Sequence, residues 1–266
     1  MPLDARRSQP VVAADGDWHE LLALGEDVAR TIAERHVALL QRLHALGQAW
    51  LALVSVTEDC ERGPLDRALL DAHAEFMACA FLLLHGFYSQ ALRCLRSALE
   101  LAVMGAFFEL AGDTERYARW VSGKNERNVF FKEACDWLMN APVAAPLEKR
   151  LHVVTGRTLF AQGHGEKAGR MRRLFRDLSA YSHTVPGASN YDLWRSNGPI
   201  YVFTEVERCR DLYCIVQAYA YVAIRLARVL PPDWPALDIL YAMPAVRNDP
   251  VLVESARFFG WRVALP

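Results

Sequence analysis

A chain of 266 residues with 53% hydrophobic and 23% charged side chains is long and apolar enough to bury a large core without disulfides or metals, which excludes extended disorder. Its 30 basic and 31 acidic residues leave a formal charge of −1, so no global field draws it to nucleic acid or membrane, and any polyanion site must be a local patch. The six cysteines, Cys60, Cys79, Cys94, Cys135, Cys209 and Cys214, form no Cys-x-x-Cys pair and sit mostly in apolar helical stretches, a pattern that fits reduced thiols in the cytoplasm.

Residues 1–16 read as a flexible polar tail without the apolar segment of a signal peptide. Asp17 with Glu20 resembles a capping box, and from Trp18 to about Val56 apolar residues keep helical spacing through Leu21, Leu24, Val28, Ile32, Leu39, Leu43, Leu46 and Trp50. That spacing predicts one long first helix, bent near Gly47. Gly63-Pro64 opens a second helix toward His85. The third, about Phe87 to Leu110, is apolar nearly all round and is expected to be central. Its few charges, Arg93, Arg96 and Glu100, share a strip at spacings of three and four residues, and charges on a buried helix must be paired or face a cavity.

Short helices are expected over Asp113–Val121, Glu126–Asn140 and Leu147–Leu159, with a break at Pro142–Pro146. A loop at Ala161–Gly165 leads to a basic helix from about Glu166 to His183. The stretch Thr184 to Pro199, with Asn190 and Trp194 among its prolines and glycines, lacks any regular pattern and reads as a lid. Ile200 to Phe203 reads as a short strand, and Thr204-Glu-Val-Glu207 as a capping box opening a helix that Pro231-Pro232 ends. No run is apolar and uncharged for long enough to span a bilayer, so no membrane partner is expected. The fold class is therefore all-α: a single helical bundle over residues 17–230 with a long first helix, an apolar central helix and small C-terminal helices in an extension, residues 231–266, docked on it.

No Gly-x-Ser-x-Gly, Walker-type or dinucleotide-binding pattern is present, and His73, Cys79 and His85 lack the paired spacing of a zinc site, so neither metal nor cofactor is expected. The basic helix carries two faces. Arg172, Arg176, Ser179 and His183 fall on one stripe; Met171, Leu174, Phe175, Leu178 and Ser182 fall on another. From Arg157 to Arg176 six basic residues stand against Glu166 alone, which makes either a solvated face or a patch for an anionic partner. An imidazole at a helix end, where the dipole favours its protonated form, suits acid–base work. Arg176 holding a phosphate while His183 moves a proton is the minimum for cleaving RNA through its own 2′-hydroxyl without a metal.

The segment Arg176-Asp-Leu-Ser-Ala-Tyr-Ser-His183 resembles the Arg-x(4–6)-His motif of the HEPN superfamily of all-α bundles, many of them prokaryotic toxins, phage-defence proteins and RNA-processing enzymes. A second resemblance is to uncharacterised bacterial all-helical proteins, carried by Gly86, Ala91, Arg96-Ser-Ala-Leu-Glu100, Asp113, Trp120, and Phe175-Arg-Asp-Leu-Ser179 followed by His183. Together these pieces span Gly86 to His183. The resemblance implies a metal-independent endoribonuclease of stress response or phage defence, with His183 as general acid/base and Arg176 as phosphate clamp. It also implies a homodimer whose two motifs face each other. Arg172, Ser179, Arg96, Glu100, Asn190 and Trp194 are the candidate substrate contacts. Where many HEPN ribonucleases have a polar residue after the arginine, this chain has Asp177, which can orient Arg176 but also weakens the local positive field.

Two other readings fit the same residues. One is a non-catalytic helical module whose basic face binds a nucleotide, nucleic acid or partner protein, with Arg96 and Glu100 simply paired across one helical turn. The other is a small-molecule pocket lined by Trp120, Trp137 and Tyr181.

Overall fold

Apolar faces at helical spacing have to cover one another, and here they do so around one helix that is apolar on nearly every side. The computed structural model describes residues 15–54, 63–122, 131–161, 168–181 and 199–265, and among them there is no β-strand. Twelve α-helices follow in order: α1 (Asp15–Arg35), α2 (Val37–Leu51), α3 (Pro64–Leu84), α4 (Tyr88–Ala111), α5 (Thr114–Ser122), α6 (Phe131–Asn140), α7 (Ala145–Thr155), α8 (Arg170–Ser179), α9 (Phe203–Ala227), α10 (Pro235–Tyr241), α11 (Pro244–Arg247) and α12 (Pro250–Phe259). The chain is all-α with bundle-like packing.

The central helix is α4, which lies along α3 and α9 and also touches α6 and α8. Fourteen of its residues, Tyr88 through Phe108, are buried. One glycine sets its distance from α3: a Cβ on Gly105 would lie 2.6 Å from the Cβ of Ala68 and 3.2 Å from Cδ1 of Leu65. Gly105→Ala should therefore push the two helices apart and destabilise the fold by about 1–3 kcal/mol. An unchanged urea midpoint would show that the α3–α4 contact is not tight. The cysteines described, Cys79, Cys94, Cys135, Cys209 and Cys214, are free; burial pushes the thiols of Cys94, Cys135, Cys209 and Cys214 up to about 12.

The expected long first helix is divided. It breaks at His36, whose φ of −127° and ψ of 38° leave the helical region, and the imidazole turns to Tyr201 and Phe203. Gly47 does not interrupt the helix: it lies inside α2, where a Cβ would touch Met77 Sδ at 3.4 Å. The expected strand at Ile200–Phe203 is absent. Residues 200–202 instead run extended against α4, where Tyr88 Oη donates to the Ile200 carbonyl at 2.9 Å and accepts from Val202 N at 3.0 Å. That anchor starts α9 at Phe203 with Val202 as its cap and no side-chain cap bond. The Thr204/Glu207 capping box therefore does not form, and Glu207 pairs with Arg210 at 2.5 Å. A side-chain cap does form at α12, where Asp249 accepts from Val251 N at 2.9 Å and Leu252 N at 3.4 Å. Among the described residues no helix is long and apolar enough to cross a membrane.

Candidate functional site at the α4–α8 junction

Helix α8 is placed by the segment before it. Gly169 N, Arg170 N and Met171 N donate to the carbonyls of Ala161, Thr158 and Leu159 at 2.9–3.0 Å, so these first amides of the helix are taken up by backbone rather than left for an anion. A Cβ at Gly169 would come within 2.6 Å of the Leu159 carbonyl; only glycine permits that approach. The 157–161 segment is in turn fixed by the buried carboxylate of Glu148, which accepts from Leu159 N at 2.9 Å and Phe160 N at 2.6 Å. Burial raises the Glu148 pKa, and the two amide donors oppose that shift.

Glu148→Ala would leave two buried amides unpaired and is expected to cost about 2–4 kcal/mol. The pH dependence has a definite sign. With its pKa raised, the folded chain keeps the proton to higher pH than the unfolded chain, so the wild type loses stability as pH climbs from the ordinary carboxylate range through the folded value. The gap between wild type and variant should narrow over that interval in thermal melts; a gap that widens would contradict the assignment.

The stripe expected on α8 is divided among three environments. Arg172, with its side chain 10% exposed, pairs with Asp136 and donates to the carbonyls of Phe160 at 2.9 Å and Lys132 at 3.0 Å. It ties α8 to α6 and to the loop before it. Ser179 faces α4: its Oγ accepts from Arg96 Nε at 3.0 Å and donates to the Phe175 carbonyl at 2.7 Å. Arg176 stays in solvent, its side chain 55% exposed, with Nε and Nη2 donating to Asp177 at 3.3 and 3.2 Å. His183, Asn190 and Trp194 lie outside the described residues.

At Ser179 two pieces of the second resemblance, Arg96–Glu100 and Phe175–Ser179, come together, although 83 residues separate Arg96 from Ser179. Arg96 Nη1 pairs with Glu100 at 3.1 Å, both side chains about one-third exposed or less. The Arg96 guanidinium also lies 4.3 Å over the Phe175 ring, and Phe175 stacks on Phe131 at 4.1 Å with 9° between the planes. Burial raises the Glu100 pKa, with Arg96 opposing. Arg93 Nε donates to the Tyr181 carbonyl at 2.5 Å, holding the end of the α8 turn against α4, two residues before His183 in the chain. A carboxyl whose pKa burial raises, a guanidinium and a hydroxyl thus share a partly buried junction.

On its other flank α8 borders a groove of about 660 Å³ with α9. Leu174, Leu178, Leu212 and Ile215 supply apolar lining, and Asp177, Glu207, Arg208 and Asp211 supply charge. Tyr181 lines this groove, whereas Trp120 and Trp137 do not: they pack on Phe108 and Phe107 of α4. Arg170, expected to add to the basic face, is drawn away by Asp249 at 2.7 Å and the Tyr219 hydroxyl at 3.2 Å. The α9 side of the groove was legible only as a polar stripe, Thr204, Glu207, Arg208 and Asp211, at spacings of three and four residues. Neither the Asp136 and Asp249 partners nor the anchoring by Arg93 left any local signal. Among the described residues no group of three or more His, Cys, Asp and Glu side chains could hold a metal ion. No protein-family model matches the chain, and no curated protein and no solved structure does either.

Proposed function

We propose that the protein is a HEPN-like, metal-independent endoribonuclease acting in stress response or phage defence, with its site at the α4–α8 junction. The observation that supports this reading is the hydrogen bond from Arg96, itself paired with Glu100, to Ser179, because it joins pieces of the second resemblance that the sequence holds far apart. Arg176, exposed beside this junction, is the phosphate clamp, and His183, two residues beyond the Tyr181 carbonyl that Arg93 holds, is the general acid/base. The 2′-hydroxyl gives up its proton and O2′ attacks phosphorus; the P–O5′ bond breaks and the leaving oxygen takes a proton. A homodimer and a cytoplasmic location belong to the same reading. Incubation of single-stranded RNA with the protein in EDTA should give fragments ending in 2′,3′-cyclic phosphate and 5′-hydroxyl. Intact RNA, or cleavage that stops on chelation, would end this reading.

A second reading, a non-catalytic module that binds a nucleotide, nucleic acid or partner protein, draws on one specific observation. Carboxylates engage Arg170, Arg172 and Arg176 of α8, which reduces the positive field that phosphate chemistry needs. Binding of RNA without turnover would select it.

A further inference from the structure

Where α9 begins, one exposed ring adjoins two partly buried ones. Phe203 is 56% exposed at the first residue of that helix, beside Ile200 at 41%. His36, in the break between α1 and α2, has its ring 5.6 Å from Phe203 and 6.0 Å from Tyr201, tilted by 34° and 50°. Its Nε2 lies 3.2 Å from the Tyr201 hydroxyl, and the Arg35 guanidinium sits 5.0 Å over the Tyr201 ring. The backbone beneath is held in place. Tyr88 binds it at both Ile200 and Val202, and Gly86, at φ +75°, approaches so closely that a Cβ would lie 2.5 Å from the Ile200 carbonyl. A second ring pair, Phe81 with His85 at 4.2 Å, adjoins Gly86 in the chain, and Phe81 is 61% exposed.

Exposed rings cost free energy unless something covers them, and these belong to a preorganised surface rather than to scattered side chains. We propose that Arg35, His36, Tyr201 and Phe203 form a stacking platform for the bases of single-stranded RNA. The choice of RNA rests on the ribonuclease reading above. Every base offers a π-face to a ring, so such a platform binds with little regard to sequence. Arg35 adds a permanent positive charge and planar donors that suit a phosphate next to the stacked base. Phe203 also lines the groove between α8 and α9, as does Asp177, the neighbour of Arg176.

The test uses a labelled 2′-O-methyl oligouridine, which cannot be cleaved because its 2′ oxygen is blocked, and a matching oligomer with abasic sites. Wild type should bind the first, and Phe203→Ala should weaken that binding by about 5- to 150-fold, the loss expected for one base–ring stack. Removing the bases should weaken wild type to a similar degree and leave the variant unaffected. Phe203 is exposed, so the variant should keep the wild-type melting temperature; His36→Ala, which removes the neighbouring ring, provides a second variant with the same expected loss. No binding, equal binding by wild type and both variants, or indifference to the bases would overturn the proposal and leave the rings to a protein partner. Base-dependent binding without cleavage of ordinary RNA would keep the platform and remove the ribonuclease reading. Cleavage accompanied by base-indifferent binding would do the reverse.

Discussion

Replacement of His183 by alanine is expected to slow cleavage of single-stranded RNA by about 10²–10⁴-fold, the loss that accompanies removal of a positioned acid–base group. The proposed chemistry needs one proton taken from the 2′-hydroxyl and one delivered to the 5′ oxygen, and at neutral pH an imidazole can do either. Arg176 has the other task, offsetting the charge that builds on the phosphate oxygens. Arg176→Lys keeps the charge and loses the planar fork, so it should fall between wild type and Arg176→Ala. Initial rates in EDTA on one short RNA measure all three variants, with circular dichroism to show that each is folded. Equal rates for wild type and His183→Ala would remove the catalytic assignment of that histidine.

A second large effect is expected in stability. Asp249→Ala should destabilise the protein by about 3 kcal/mol and lower its Tm by about 6–12 °C. Asp249 is buried and serves three elements at once: Oδ1 caps α12 through Val251 N and Leu252 N, while Oδ2 accepts from Arg170 of α8 at 2.7 Å and from the Tyr219 hydroxyl of α9 at 2.9 Å. Its loss leaves a partly buried guanidinium and a buried hydroxyl without their acceptor and opens the start of α12. Arg170→Met, which takes the charge away with the bond, should cost less than Asp249→Ala. The reverse order in thermal melts would mean that an unpaired buried carboxylate costs more than the loss of its bonds to α8, α9 and α12.

Local patterns made much of the fold legible. Pro64 after Gly63 starts α3 where the sequence places a helix, and the apolar run beginning near Phe87 is α4 to within a residue at each end. Both follow from interactions a few residues long, side-chain period and terminus chemistry. The errors share the opposite character. His36 interrupts a run of perfect helical spacing because its ring is held by Tyr201 and Phe203, 165 residues on in the first case. Thr204 and Glu207 have capping-box spacing, yet the bonds with Tyr88 start the helix two residues earlier. In each case a distant contact outweighed a local preference.

The same division runs through the candidate site. Periodicity by itself determined that Arg172, Arg176 and Ser179 share a side of α8 and that Arg96 and Glu100 share a strip of α4, because azimuth on a helix depends only on position in the chain. Only the tertiary structure decided what each group meets: Asp136 for Arg172, Arg96 for Ser179, and Asp177 with open solvent for Arg176. An ion pair or hydrogen bond depends on separation in space, which falls off within a few ångströms and bears no relation to separation along the chain. Residues 36 and 83 positions apart therefore set which cations are engaged and which remains open to a partner.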